Sequence, residues 1–348
     1  MVLFEAVRIL IMFALAFVAA LFATPLVTHF LEKYNVKKRN IRSAEEAPIF
    51  HELHKGKSST PTMGGIIIWS AVLALALLFF VLSRLVDGFF NYLNFVSRAE
   101  TYLPIAALFF AAVVGFVDDL FGIRGKGPKG GGLSVKHKLL LYTVVALVGA
   151  WWFYAKLGFT TLYIPFIGYA DIGLWYIPFF IFVIVATAFS TNETDGLDGL
   201  AGGVLIFPFG ALAVVAFTLE RYDLATFIAA ILGALLAFLW FNIHPARFFM
   251  GDTGSMALGV TLGVIAMLTN TALFLPFFAF ILILESSSVI IQVISKKVRK
   301  RKVFRSTPIH HHFEALGWPE TQITMRFWII SAVTTIIGLV LFFLAHFA

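Results

Sequence analysis

The sequence predicts an all-α integral membrane protein with about ten transmembrane helices. Of its 348 residues, 60% are hydrophobic and only 13% are charged, and the mean hydropathy is +0.93. Soluble domains carry about 25% charged residues, so this composition is typical of a polytopic membrane protein. Because the bilayer core offers the backbone no hydrogen-bond partner, each span is expected to be a helix.

Ten apolar runs are long enough to cross a bilayer, which takes about 20 residues with a lower limit near 17. They lie near residues 2–30, 62–83, 102–117, 138–155, 174–190, 199–219, 224–241, 254–269, 272–295 and 325–347. The first run has no basic leader or small-residue cleavage site, so it is predicted to be a retained span. Between the fourth and fifth spans, Leu162 to Asp171 alternates in polarity and predicts a small hairpin. No second soluble domain is visible, and residues 1–348 are expected to form a single polytopic domain.

Lysine and arginine predict the orientation of the spans. Alternate loops hold 21 of the 26 Lys and Arg residues. Basic loops are cytoplasmic, so both termini are expected to be extracytoplasmic. The net charge of +7 follows from this bias and argues for the inner leaflet. It does not argue for nucleic acid, because no zinc-finger, RNA-binding or basic-zipper signature is present. The absence of cysteine excludes disulfides and cysteine metal sites.

Five aspartates occur in three short motifs at the predicted cytoplasmic ends of spans. The first motif, Phe116-Val-Asp-Asp-Leu, places Asp118 and Asp119 at the end of the third span, facing a basic loop. Two adjacent like charges destabilise each other unless a cation or an acid–base role compensates. A solvated helix end paired with nearby lysines explains the pair equally well.

The second motif runs from Asn192 to Gly203 and holds two aspartates among four glycines. Asp195 and Asp198 are three residues apart and would share one face if the segment begins the sixth helix. The glycines let another backbone or a ligand approach closely. A helix cap would explain one acid but not both, so a functional role is favoured.

The third motif, Phe249-Met-Gly-Asp-Thr-Gly-Ser, places Asp252 where the eighth helix starts. Carboxylates at such an entrance suit Mg²⁺, which binds a few carboxylates together with phosphate oxygens. Phe249 is a candidate for stacking on a nucleobase. An N-cap aspartate with buried aromatic neighbours is the alternative, and it would be preferred if this motif stood alone.

Three further segments carry polar side chains. His310, His311 and His312 follow a basic run, and contact with phosphate or sugar is favoured because consecutive loop residues seldom all reach one metal ion. Lys57 precedes hydroxyl and glycine residues that could hold an anion, although a snorkelling lysine is an equally good explanation. Glu285 is the one acid well inside a span, where a structural role with the adjacent serines is favoured.

Taken together, the motifs resemble those of the phospho-N-acetylmuramoyl-pentapeptide translocases, within the wider superfamily of polyprenyl-phosphate sugar-1-phosphate transferases. The matching segments run in the family's order: Ser59-Thr-Pro-Thr-Met-Gly-Gly, Gly115-Phe-Val-Asp-Asp, Thr194-Asp-Gly-Leu-Asp-Gly-Leu-Ala, Phe249-Met-Gly-Asp-Thr-Gly-Ser, Pro308-Ile-His-His-His-Phe-Glu and Gly317-Trp-Pro-Glu. The aspartate motifs are shared across the superfamily. The histidine segment and Gly-Trp-Pro-Glu are more specific to the muramoyl branch.

The resemblance implies an enzyme of the bacterial inner (cytoplasmic) membrane with its catalytic cleft on the cytoplasmic side. It would use Mg²⁺ to transfer phospho-MurNAc-pentapeptide from its UDP carrier to undecaprenyl phosphate, releasing UMP. Asp252 would bind the metal, and Asp118 would act as base, with Asp119 assisting it or holding the metal. A covalent route through Asp252 is the competing mechanism. The implied substrate contacts are Lys57, Thr62, Lys136, Asn192, Asp195, Gly196, Leu197, Asp198, Asn242, Phe249 (stacking on uracil), Gln292, His310, His311 and His312.

Alternatives stay open at this stage. Family members often carry a lysine where this chain has Gly122; Lys126 or Lys129 are substitutes, while Lys136 and Lys138 align better. A sister transferase using UDP-N-acetylglucosamine or another UDP-sugar is the nearest rival. A transporter is more remote, because transporters place ionisable residues near the midplane of the bilayer. The oligomeric state is open, with a homodimer as one option.

Overall fold

The computed structural model describes residues 2–37, 60–86, 88–96, 99–127 and 132–347, with the backbone only at 99–100. The helices of these ranges are α1 (Val2–Lys33), α2 (Ile66–Leu85), α3 (Phe89–Leu93), α4 (Ala99–Ile123), α5 (Val135–Trp151), α6 (Tyr176–Thr194), α7 (Leu200–Thr218), α8 (Tyr222–Asn242), α9 (Gly251–Leu268), α10 (Leu275–Phe278), α11 (Phe280–Val298), α12 (Ile309–Glu314) and α13 (Glu320–Phe347). A π-helical turn, Trp152–Lys156, extends α5, and short 3₁₀ turns at Gly173–Trp175 and Ala272–Phe274 precede α6 and α10.

Within the described ranges, nine helices are long and apolar enough to cross a membrane. A tenth span results if Ala272–Phe278 and Phe280–Val298 are counted as one. The predicted all-α membrane class is therefore confirmed. The ninth predicted span, residues 272–295, is bent, because its two helical parts meet at 89°. Pro276 fixes the first turn of α10, and Ala279 then leaves helical geometry at ψ 34°.

The predicted hairpin is confirmed between α5 and α6. Strands β1 (Thr161–Ile164) and β2 (Gly168–Asp171) pair antiparallel, with Leu162 opposite Ala170. Asn270 anchors the hairpin to the bundle: its amide nitrogen donates to the Thr161 carbonyl at 3.2 Å, and its oxygen accepts from the Tyr163 backbone N–H at 3.0 Å.

Helix α9 is the centre of the bundle, because every one of its residues is buried. It packs chiefly against α4 and α6. These contacts need glycine: a Cβ on Gly115 of α4 would lie 2.2 Å from the Asp252 carbonyl oxygen, and one on Gly259 would lie 2.8 Å from Ala188. Small residues let helix backbones approach in this way in membrane proteins. The close packing fixes the position of the Asp252 end of α9.

Helices α1, α5 and α13 form much of the outer face of the bundle. Less than a third of the most apolar window in each is buried inside the protein, and their outward residues are large and apolar, such as Phe22, Val148 and Ile336. An apolar exterior of this size fits contact with lipid. The single domain over 1–348 and the extracytoplasmic position of the termini stay predictions.

Candidate active site

The three aspartate motifs meet at one end of the bundle, where α4 and α6 end and α5 and α9 begin. Asp118 and Asp119 were expected to close the third span and face the loop after it; they do not close it, although Asp118 contacts that loop through the Leu133 N–H. Helix α4 continues to Ile123 and closes there with Gly125 at φ +63°. The two side chains lie within the helix and are 1% and 0% exposed. The helix continues through the apolar residues that follow them, up to Ile123.

Lys138 joins two of the three motifs. Its Nζ lies 2.8 Å from Asp118 Oδ2 and 2.8 Å from Asp252 Oδ1. Asp252 Oδ1 also accepts from the Asn192 amide at 2.5 Å, and Asp118 Oδ1 accepts from the Leu133 backbone N–H at 2.6 Å. Buried carboxylates are stable only with such partners. The geometry therefore places two carboxylate oxygens around one cation.

Asp119 and Asp195 contact the backbone at the start of α9. Asp119 Oδ2 accepts from the Thr253 N–H at 2.9 Å, and Asp195 Oδ2 accepts from the Gly251 N–H at 2.9 Å. First-turn amides have no partner within their own helix, and the helix dipole favours negative charge there. These two carboxylates therefore hold the Asp252 turn in place.

Asp195 and Asp198 do not share a helix face, contrary to expectation, because α7 begins only at Leu200 and both lie in the preceding turn. Asp198 Oδ2 lies 2.9 Å from His244 Nδ1 and accepts from the Ala246 N–H at 3.1 Å. The Asp198 backbone N–H donates to Glu320 Oε1 at 2.6 Å. Ligand atoms of Asp198, His244 and Glu320 lie within 4.8 Å of one another, a spacing that could hold a metal ion.

The turn between α6 and α7 is held by distant side chains. Asn242 accepts from the Gly199 N–H at 3.2 Å and donates to the Phe248 carbonyl at 2.8 Å. Gly196 lies against the His310 ring, since a Cβ there would be 2.3 Å from its Nε2. Leu197 is buried. The predicted contacts at Gly196, Leu197, Asn242 and His310 are thus brought together around one turn.

The three consecutive histidines have three different partners. His310 Nδ1 lies 2.9 Å from Glu285 Oε2, and both side chains are fully buried. His311 Nδ1 lies 2.6 Å from Glu314 Oε2. His312 Nδ1 accepts from the Arg305 backbone N–H at 3.1 Å. The serine partners expected for the Glu285 carboxylate are replaced by His310; Ser286 bonds to Ser190 and to backbone carbonyls instead.

Thr62 and Phe249 are joined by backbone pairing. The Phe249 N–H donates to the Pro61 carbonyl at 2.8 Å, and the Gly64 N–H donates back to the Phe249 carbonyl at 2.8 Å. This pairing brings Thr62 beside Gly251, where a Cβ would lie 2.9 Å from Thr62 Oγ1. Phe249 is half-buried. Stacking on uracil by this ring stays a prediction.

Comparison with known proteins settles the family. Glycosyl transferase family 4 matches residues 101–270, which contain all five motif aspartates. The phospho-N-acetylmuramoyl-pentapeptide-transferase of Nautilia profundicola is 40% identical and is matched over 84% of this chain and 84% of its own length. Those of Chloroflexus aggregans (36% identical, 95% and 89%) and Geobacillus thermodenitrificans (37% identical, 95% and 97%) are matched over almost their whole length. The chain belongs to the phospho-N-acetylmuramoyl-pentapeptide-transferase family. The resemblance seen in the motifs is confirmed, and the chain is a transferase with multiple membrane spans.

The remaining predicted substrate contacts are Gln292, Lys136 and Lys57, and the structure does not bring the first two into the group around Lys138. Gln292 accepts from the Val303 and Phe304 N–H groups at 2.9 and 3.1 Å, so its side chain holds the basic loop after α11. Lys136 is exposed, two residues before the Lys138 that enters the site. Lys57 lies outside the described residues. The substrate contacts assigned to these residues stay predictions.

The Lys138 site suits Mg²⁺ better than the Asp198 cluster does. Asp118 and Asp252 offer carboxylate oxygens that already surround one cation, which is the donor set that Mg²⁺ prefers. The Asp198 cluster includes an imidazole, a ligand that suits zinc, copper or nickel. His244 and Glu320 were missed as site residues, although Glu320 ends the Gly317-Trp-Pro-Glu segment and His244 lies two residues after Asn242.

Proposed function

We propose that this transferase moves phospho-MurNAc-pentapeptide from UDP-MurNAc-pentapeptide to undecaprenyl phosphate, producing lipid I and UMP for peptidoglycan synthesis, with Mg²⁺ as cofactor. The carrying observation is the Lys138 ammonium between Asp118 and Asp252. Both reactants are polyanions, so two phosphates can meet only where cations offset their charge. The names of the relatives support the choice of substrate.

The placement of the site supports the orientation that we propose. The aspartates lie at the same end of the bundle as the basic residues after α4 and α11, and basic ends are cytoplasmic. We therefore place the catalytic cleft on the cytoplasmic side of the bacterial inner membrane and both termini outside. There, one substrate arrives from the cytosol and the other lies in the inner leaflet.

Asp118 and Asp252 are given different roles. Asp252 Oδ1 already receives two donors, Lys138 and Asn192, and this fits a carboxylate that holds a cation. Asp118 is fixed through Oδ1 by the Leu133 N–H, and its Oδ2 is the atom we assign to accept the proton of the lipid phosphate. Mg²⁺, when bound, would supply the positive charge that lets the two phosphates approach.

The nucleoside is assigned to the turn from Asp195 to Gly199, with Phe249 stacking on uracil. The turn is rigid, because Asn242 and Glu320 hold its backbone. His310 lies against Gly196 and is oriented by Glu285, so we assign the histidine segment to the diphosphate and sugar. A turn that is already held in place loses less conformational entropy when a ligand binds.

The test is UMP release by purified protein with undecaprenyl phosphate and either UDP-MurNAc-pentapeptide or UDP-N-acetylglucosamine, with and without Mg²⁺. We expect release only with the muramoyl substrate and only with Mg²⁺. Activity confined to UDP-N-acetylglucosamine would refute the choice of substrate. A reaction without undecaprenyl phosphate is the control for mechanism, since a burst of UMP there would indicate the covalent route.

A further inference from the structure

Tyr142 is a buried residue of α5 that the proposed chemistry does not use. Its side chain is 2% exposed, and its hydroxyl makes no hydrogen bond to any residue that the structure describes. It follows Lys138 by four residues, and residues at this spacing are neighbours on one helix face. Tyr142 therefore lies one helical turn from Lys138, whose ammonium joins Asp118 to Asp252.

The hydroxyl lies within electrostatic range of carboxylates of the site. It interacts electrostatically with Asp252 of α9, Asp118 of α4 and Glu193 of α6. These residues come from three helices that converge on the candidate active site. The buried hydroxyl is therefore influenced by the same two carboxylates that Lys138 joins.

A hydroxyl buried without a partner destabilises a fold, so each such group calls for an explanation. Phenylalanine would fill the same volume without that penalty. A phenol is also a neutral donor, which can offer a hydrogen bond to an anion without adding charge. Tyr142 and Lys138 together present two donors on one helix face.

We propose that the Tyr142 hydroxyl donates a hydrogen bond to a phosphate oxygen of the bound substrate, beside Lys138. The inference rests on the proposed function and adds a substrate-binding residue to it. The phosphate belongs either to the lipid acceptor or to the diphosphate of the nucleotide donor, and the chemistry of recognition is the same for both.

Tyr176 of α6 is the matched control. It is 1% exposed, and its hydroxyl likewise makes no hydrogen bond within the described part of the chain. Its neighbours, however, are the rings of Phe153 and Phe180. Tyr142 and Tyr176 therefore carry the same buried hydroxyl, and they differ in whether carboxylates interact electrostatically with it.

The experiment compares Tyr142→Phe with Tyr176→Phe in the full-length protein. We expect both variants to melt at or above the wild-type temperature, because each loses an unpaired buried hydroxyl. Only Tyr142→Phe should slow UMP release, by about 10-fold, the effect of one hydrogen bond worth about 1.4 kcal/mol. A raised KM for undecaprenyl phosphate assigns the lipid phosphate, and a raised KM for the UDP-sugar assigns the diphosphate. Wild-type kinetics in Tyr142→Phe, or a loss matched by Tyr176→Phe, would overturn the proposal.

Binding measurements separate this inference from the proposed function. Calorimetric titration with UDP and with a short-chain polyprenyl phosphate needs no turnover. If the wild type releases no UMP, the proposed function fails, while weaker binding of one probe to Tyr142→Phe alone still supports the role of Tyr142. If the wild type is active and both probes bind Tyr142→Phe as tightly as wild type, only the Tyr142 inference fails.

Discussion

Two pairs of aspartates at the same end of the bundle have different kinds of partner. Asp118 and Asp252 share the ammonium of Lys138, whereas Asp119 and Asp195 accept backbone N–H groups from the first turn of α9. A side-chain cation can be replaced by a metal ion, but a backbone amide is part of the fold. We infer that the first pair forms the reactive centre and that the second pair positions it.

The largest expected effect is on catalysis at Asp252. Asp252→Asn keeps an oxygen that can accept from Asn192 but loses the charge that faces Lys138. UMP release should fall by at least about 1,000-fold, since charge stabilisation around a metal is worth several kcal/mol. The melting temperature should stay near that of the wild type. Near-normal turnover in this folded variant would remove Asp252 from the reactive pair.

Lys138→Met tests whether the shared ammonium stabilises the first pair. Without Mg²⁺, the variant leaves two buried carboxylates without their cation, and stability should fall by about 3–5 kcal/mol. Added Mg²⁺ should raise its melting temperature more than that of the wild type. The matched control is Lys136→Met, an exposed neighbour whose removal should change stability by less than about 0.5 kcal/mol. Equal effects of the two substitutions on the melting temperature would contradict a stabilising role for Lys138 between Asp118 and Asp252.

The smallest effect is expected for the second pair. Asp119→Ala and Asp195→Ala each remove the acceptor of a first-turn amide, and each should lower stability by about 1 kcal/mol. The corresponding Asn variants retain an acceptor oxygen and should lose less. Thermal unfolding in detergent measures both. If the Ala and Asn variants melt alike, the backbone contacts do not carry the stability assigned to them.

The spans and the hairpin could be predicted from the sequence, but the contacts between distant side chains could not. Apolar runs and the alternation of Leu162 to Asp171 are local patterns, so the spans and the hairpin could be predicted. Lys136 and Lys138 are two residues apart, which places them on opposite faces of a helix. Which face meets α4 and α9 depends on packing, so the sequence could not show that Lys138 is the lysine that reaches Asp118 and Asp252. His244 and Glu320 lie 46 and 122 residues from Asp198, so their contacts could not be read from spacing.

The remaining differences between the predicted and the observed structure concern where helices end or bend. The run after Asp119 is apolar up to Ile123, and the helix continues through a pair that polarity alone suggested was its end. The bend at Ala279 lies inside a continuously apolar segment, where hydropathy has no signal for a break. The motif residues could therefore be identified from the sequence, whereas the residues that contact them in space could be identified only from the folded structure.

The central claim is that Asp252, beside Asp118 and Lys138, holds the divalent cation. Binding of Mn²⁺, an ion of similar oxygen preference that is visible by electron paramagnetic resonance, tests this claim without turnover. The variants are Asp252→Asn and, for the cluster of Asp198, His244 and Glu320, His244→Ala. We predict that Asp252→Asn weakens Mn²⁺ binding by at least about 10-fold, or 1.4 kcal/mol, and that His244→Ala leaves it unchanged. Retained affinity in Asp252→Asn with loss in His244→Ala would contradict the account.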